Sequence, residues 1–513
     1  MVTSGYEAAL ESWIAGDAER ALTLCDALQA DEARSVRATL LRARVLLRMR
    51  KPREAVALLE ALPLAGATAD ESATAAMLLG TACARGGDVA RGLALLHDAA
   101  LRAANAGVET AIRSEIALGI ALAFYQRREF ERAATALDGV DPESGVVYAR
   151  ALECRGWIAK SRSEFAAACE AFEAALAQLD RSHERDRFLE ANLVGTLAYI
   201  AVEVLDFARW EAMLVRARTV PWDAVGLEYN RFWLEMTRSM ADEIAGRPRE
   251  ALQAARNAGL CAPSPAFRAF AECRRASVLF AYGELLGYED LAASIRAELD
   301  ATDVRALHEF EEINLPAMVA ETLAVIGDGP GAAAALRRLD EMSPAQLALL
   351  RDEGLKRAYL AFVEGLVADA NNDALRAQHR YREALRAFSE MGLTRRALLA
   401  ALPLSDLSGE ETVLAFIAEQ VRGLPASSWV RTKATRRAAW FGDAVLAGLT
   451  RAEREIVQLL HAGHSTAEIA AIRGRSPQTI RNTISKLLQT FGVGTRQALI
   501  SECARRGVFP PAP

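Results

Sequence analysis

Aromatic residues are scarce in this chain, at 6% of 513 positions, while alanine and leucine dominate a hydrophobic share of 52%. Small apolar side chains suit closely packed helices and give little material for an aromatic-rich sheet core. The seven cysteines (Cys25, Cys83, Cys154, Cys169, Cys261, Cys273 and Cys503) are odd in number and scattered, with no C-x-x-C spacing. They read as small buried residues of a reducing, cytoplasmic protein rather than a disulfide framework or a zinc site. No apolar stretch approaches the roughly 20 residues needed to span a bilayer, and the nearest candidate, around Leu197 to Leu205, is broken by Glu203. No positively charged start with an apolar run behind it is present, which predicts no signal peptide.

Catalytic signatures are missing too. There is no G-x-x-x-x-G-K-[ST]; the Gly327–Gly331 run has no lysine behind it. No nucleophile–base motif and no receiver-type acidic cluster stands out. His461 and His464 lie three apart but lack third and fourth ligands. The sequence therefore predicts no enzyme, no metal and no cofactor.

What is present is a division of charge. Residues 429–513 carry 13 Lys+Arg against 5 Asp+Glu, a net of +8. The other 428 residues hold 61 − 13 = 48 basic and 67 − 5 = 62 acidic groups, a net of −14. A basic tail on an acidic body favours a polyanionic partner for the tail.

A phrase recurs through the first 400 or so residues. A turn residue is followed by an acidic or aromatic one and then an Ala/Leu-rich run, as in Gly16-Asp17-Ala18-Glu19-Arg20-Ala21-Leu22 and Ser163-Glu164-Phe165-Ala166-Ala167-Ala168. Its anchors fall at Ala21, Ala55, Gly92, Ala133, Ala168, Trp210, Ala251, Ala292, Ala332 and Ala377, with gaps of 34 to 45 residues. Such a period predicts a solenoid of about ten helical hairpins, in which a small anchor lets two helices approach closely. The phrase and period resemble the tetratricopeptide repeat; armadillo-like or generic helical hairpins stay open. The resemblance implies a concave inner surface, lined by the first helix of each hairpin, for a small-molecule, peptide or protein ligand.

Two such helices carry candidate ligand residues. Asn192, Thr196 and Tyr199 share a face at i, i+4 and i+7. Tyr229, Asn230 and Trp233 follow, with Trp222 upstream. Asparagine beside aromatics suits a ligand with amides or hydroxyls. The competing reading makes Tyr229, Phe232, Trp233 and Met236 inter-helix core.

Pro403, Ser405, Ser408 and Gly409 predict the end of the array. A helix from about Glu410 to Val421 should follow, then a basic run, Trp429 to Trp440, holding Arg431, Lys433, Arg436 and Arg437. That run is either a solvated helix face or an arm for phosphate.

The last stretch has helix starts written into it. Thr450 with Glu453 and Ser465 with Glu468 have capping-box spacing. Ser476 precedes Pro477 at a third start, while Gly463 and Gly474 mark turns. Helix, tight glycine-containing turn, helix is a helix-turn-helix arrangement. In the third helix Ile480, Ile484, Leu487, Leu488 and Phe491 form one face. The other carries polar and basic residues able to meet bases and phosphates.

The sequence Leu449-Thr450-Arg451-Ala452-Glu453-Arg454-Glu455, then Gly463-His464-Ser465-Thr466-Ala467-Glu468-Ile469-Ala470, Ser476-Pro477-Gln478-Thr479-Ile480-Arg481 and Gly492-Val493-Gly494-Thr495-Arg496, resembles the LuxR-type helix-turn-helix of bacterial transcription regulators. The resemblance implies a four-helix domain whose third helix enters the major groove of double-stranded DNA. Arg481, Asn482 and Ser485 match the base-reading positions, and Lys486 and Gln489 lie nearer phosphates. Ser476, Gln478 and Thr479 complete the expected DNA-binding set. The last helix, about Arg496 to Arg505, is where such domains commonly dimerise, which would put Ala498, Leu499 and Cys503 toward one face.

Departures from the family pattern are Thr483 for a histidine, Thr490 for a lysine, and Arg473 and Arg475 for apolar residues. The arginines could face DNA or the acidic array. The whole layout resembles regulators of the MalT type without their nucleotide-binding module. The expectation is an all-α chain: a tetratricopeptide-like solenoid over 1–402, a helical linker over 403–444 and a LuxR-type domain over 445–509. It would be a cytoplasmic, homodimeric DNA-binding regulator with a ligand-sensing array and no membrane partner. The alternative is a repeat scaffold for partner proteins with a C-terminal assembly domain.

Overall fold

The computed structural model describes residues 5–28, 35–49, 51–224, 226–281, 297, 300, 315–341, 354–442, 444–506 and 508. These residues are helices joined by short turns, and no strand occurs among them. The chain gathers into two compact units, residues 1–237 with 257–264, and residues 238–256 with 265–513.

The first unit is an array of antiparallel hairpins. Helix Ala69–Arg85 packs on Val89–Ala106, Thr110–Gln126 on Phe130–Leu137, Val146–Ser161 on Phe165–Arg181, and Arg187–Glu203 on Phe207–Ala217. Over the first five hairpins the first helix also packs on the first helix of the next, as Val36–Arg48 does on Ala69–Arg85. Stacking of this kind buries apolar faces that one hairpin could not bury alone. In the second unit Leu315–Val325 pairs with Gly329–Arg337, and Gly354–Ala370 with Ala374–Glu390.

The recurring phrase has a local cause. Its turn residue adopts a left-handed backbone: Gly16, Gly87, Gly246 and Gly327 have positive φ, and so do Arg128, Ser163, Leu205 and Asn372 at the same place in other copies. The acidic residue that follows caps the second helix. Asp17, Asp88, Asp206, Asp328 and Asp373 each accept the backbone N–H three residues on, satisfying a donor with no partner inside the helix.

The anchors lie where the two helices meet. Ala21, Ala55, Ala133, Ala168, Ala251, Ala332 and Ala377 are all 0% exposed. A Cβ at Gly92 would stand 2.7 Å from the Gly80 carbonyl oxygen. Trp210 holds the same position and is also buried, so the anchor requires burial rather than small size alone. The copy at 287–292, with Ala292, lies outside the described residues.

Two expectations need correction. Helix Thr394–Ser408 runs through Pro403 and ends only at Gly409, which is left-handed. Leu402 and Leu404, 2% and 0% exposed, anchor the helix on either side of the proline. The basic run is neither a solvated face nor a free arm. Helix Trp429–Gly442 buries Val430 and Ala434 together with Arg437, whose guanidinium donates to the Asp406 carboxylate. Arg431 donates to the Leu424 carbonyl at 2.6 Å. Lys433 lies 5.0 Å from the Trp429 ring, and burial pulls its ammonium down to about 8. A carboxylate supplied by a distant helix decided the outcome, and local composition could not announce it.

Candidate nucleic-acid interface

Helices Arg451–His461, Thr466–Ile472, Pro477–Thr490 and Arg496–Arg505 share one core. It includes Leu446, Ile456, Ile469, Ile480, Leu487 and Leu499. Both capping boxes form. The Thr450 N–H donates to Glu453 Oε2 at 2.9 Å, and the Glu453 N–H donates to Thr450 Oγ1 at 3.3 Å. Ser465 and Glu468 repeat the exchange at 2.7 and 3.3 Å. Ser476 Oγ accepts the Thr479 N–H at 3.1 Å behind Pro477. These caps fix the start of each of the three helices.

The third helix is two-faced as the spacing predicts. Ile480, Ile484 and Leu487 are at most 3% exposed. Ser476, Gln478, Thr479, Arg481, Asn482, Ser485, Lys486 and Gln489 are all exposed. They line one surface from the helix start to its last turn.

That surface is organised around Gln478. Its Oε1 accepts from Arg481 Nε at 3.1 Å and Nη2 at 2.9 Å. Its Nε2 donates to Asn482 Oδ1 at 2.9 Å. One amide therefore holds together Arg481 and Asn482, two of the three residues expected to meet base edges. Lys486 extends from this helix to Glu453 Oε1, at 2.7 Å. Burial works against the Glu453 charge, but Lys486 and the Thr450 cap together hold its carboxyl below the usual carboxylate range.

The departures from the family pattern find local roles. Thr483 and Thr490 turn their hydroxyls back onto the helix, donating to the Thr479 carbonyl at 3.0 Å and the Lys486 carbonyl at 2.9 Å. Arg473 pairs with Glu455 on the first helix of its own domain, whereas Arg475 is exposed. Leu499 and Cys503 are 0% exposed within the domain core, so they cannot form the dimerising face expected of the last helix. Ala498 is half-buried on that helix.

The array candidates fall differently. Asn192 Nδ2 donates to Glu153 Oε1, and Asn192 Oδ1 accepts from Asn230 Nδ2 at 3.2 Å. Burial pushes the Glu153 carboxyl up. These three side chains form a polar ladder across successive first helices, tying hairpin to hairpin. Tyr199 lies 5.7 Å from the Lys160 ammonium. Trp233 packs edge-on to Phe232, with ring centroids 5.2 Å apart. Phe232 and Met236 are buried core, as the competing reading had it, while Tyr229 and Trp233 are half-buried.

A charged cluster went unseen in the sequence. Asp186, with its side chain wholly buried, pairs with Arg48 and Arg150, both at 2.5 Å. Arg48 and Arg150 taken alone read as parts of solvated helix faces and Asp186 as the cap of helix Arg187–Glu203, and only the stacking of hairpins brings them together.

Comparison with known proteins bears on the two regions unequally. The family described as bacterial regulatory proteins, luxR family, matches residues 447–503. Spore germination protein GerE of Bacillus subtilis is 41% identical over 59 residues, which cover 12% of this chain and 80% of that protein. Among solved structures, Naa15/Naa10 bound to HypK-THB covers 98% of this chain and 99% of its own at 12% identity, with a TM-score of 0.23. The pentatricopeptide repeat protein PPR10 from maize covers 98% and 83% at 14% identity, with a TM-score of 0.24. Superposition at those scores is loose, and the hairpin array is established by its own helices.

Proposed function

We propose that this chain, which belongs to the luxR family of bacterial regulatory proteins through its C-terminal domain, is a DNA-binding transcription regulator whose helical-repeat region senses a ligand or partner protein. The observation that carries the reading is the exposed face of helix Pro477–Thr490, where Gln478 holds Arg481 and Asn482 side by side. Ser485 and Gln489 extend that face, and Lys486 supplies positive charge beside it. The net charge of +8 over residues 429–513 supports attraction to phosphate. Two copies would read two half-sites spaced by whole helical turns. The division of labour we propose is a sensing array that ends with helix Thr394–Ser408, a connecting region from Gly409 to about 444 and a DNA-reading domain over 445–509.

Switching needs a ligand with different affinities for the two arrangements of the chain. Sequencing of genomic fragments retained by the full chain, at two salt concentrations, tests the DNA-reading claim. One shared motif is expected. Arg481→Ala with Asn482→Ala should abolish its recovery and leave the helical circular-dichroism signal unchanged, because both side chains are exposed. If neither protein enriches a motif and retention simply fades with salt, the domain serves assembly and the chain is a partner-binding scaffold.

A further inference from the structure

Within the first unit, the first helices of five successive hairpins, from Gly5–Ile14 to Val146–Ser161, line one cavity of about 390 Å³. The stretch before helix Arg187–Glu203 adds Glu184 to the lining. There the array meets its own start: the Arg185 N–H donates to the Ile14 carbonyl at 2.8 Å. The volume is in the range that holds small organic ligands. Trp13, Met77, Leu118 and Leu122 give the lining its apolar part. Its charged part is five arginines, Arg37, Arg44, Arg48, Arg85 and Arg150, against the carboxylates of Glu115 and Glu184. Residues 1–428 carry a net −14, so this lining runs against the sign of the body around it.

Compensation of these cations is uneven. Arg44 and Glu115 form a one-to-one, two-pronged pair at 2.8 Å. Arg48 and Arg150, by contrast, both pair with the carboxylate of Asp186, with Glu184 acting on both and Glu153 on Arg150. Burial, and then the neighbouring Arg150, bring the Arg48 guanidinium down to about 10. Burial also pushes the Glu184 carboxyl up, against the opposing pull of Arg48, Arg150 and Arg44. A lining of five arginines against two carboxylates, with a face of Trp13 4.5 Å from Arg48, forms a setting that an anion with an apolar body would complete.

We propose that this cavity binds a small organic carboxylate with an apolar body. Its anionic head lies beside Arg48 and Arg150, and its body lies against Trp13, Met77 and Leu122. The site deepens the sensing reading given above, and rests on it for its biological purpose only.

The test is calorimetric titration of the full chain with decanoate below its micelle concentration. Decyltrimethylammonium, with the same tail and the opposite head, and acetate, with the head and no tail, are the comparisons. Decanoate should bind at least tenfold more tightly than either. Arg48→Gln should weaken decanoate at least tenfold and leave decyltrimethylammonium unchanged. If Arg48→Gln does not fold, Leu122→Trp, which fills the cavity from a half-buried position, should produce the same loss. Equal binding of the two amphiphiles, no binding of decanoate, or undiminished binding in a folded variant would overturn the site. The titration contains no DNA, so it stands apart from the DNA-reading claim. Decanoate that binds but leaves DNA affinity unaltered would keep the site and remove the sensing role.

Discussion

Ser163 occupies the left-handed turn position of its hairpin with φ 65°, a conformation that costs an ordinary residue about 1–2 kcal/mol. Glycine relieves that cost and returns part of it as lost chain entropy. Ser163→Gly should therefore raise stability by roughly 0.5 kcal/mol, seen as a small rise in Tm. The opposite holds where two helices cross. A Cβ at Gly365 would stand 2.7 Å from the Tyr381 ring, so Gly365→Ala should cost about 1–3 kcal/mol through overpacking. Both positions show what a sequence makes legible. The anchor alanines and the turn residues recur at a readable period, because each is required by contacts inside one hairpin. Gly365 and Gly156, whose Cβ atoms would strike the rings of Tyr381 and Phe172, share with Gly80 a place seven residues before the left-handed turn of their hairpins (372 − 365, 163 − 156 and 87 − 80), a recurrence of glycine that only three hairpins show and that the anchor period does not reveal. The Arg48–Asp186–Arg150 cluster is less legible still, since its members meet only through stacking.

At the scale of the element, caps were the most readable feature and Pro403 the least. Thr450 and Ser465 satisfy orphan donors with side chains three residues away, so their signal is local and short. Thr450→Ala should cost about 1 kcal/mol, measured by urea unfolding of the domain's helices. It should also loosen Lys486, because Glu453 is both the cap's partner and the lysine's. The proline gave the wrong boundary because helix Thr394–Ser408 is held by packing at Leu402 and Leu404, and propensity is the weaker influence there. The basic helix Trp429–Gly442 misled for a related reason: Asp406 and Arg437 are far apart in sequence, and their pairing turns a charged residue inward. Arg454 of helix Arg451–His461 donates to the backbone carbonyl of the same Asp406 at 3.2 Å. Helix Thr394–Ser408 thus has contacts with both Trp429–Gly442 and Arg451–His461.

Across the molecule, buried charge sets the response to acid. Burial opposes ionisation of Asp186, yet Arg150 and Arg48 hold its carboxyl down at about 2, against 3.8 when free. A depressed carboxylate contributes stability above its unfolded pKa and loses it as pH falls through the folded one. The contribution, on the order of 2 kcal/mol at neutral pH, should drain away between about pH 4 and pH 2. Asp186→Asn should flatten that part of the acid-unfolding curve followed by circular dichroism.

The bond from Arg185 to Ile14 has a consequence for how such a chain can fold and change length. An open solenoid assembles by nearest-neighbour steps and tolerates repeats added or lost at its ends. Here the first hairpin touches the segment leading into the sixth, so the ends of that stretch must find each other across a long loop of chain. The first unit should fold as one cooperative block, and a repeat inserted into it would break the closure that an open array would not have.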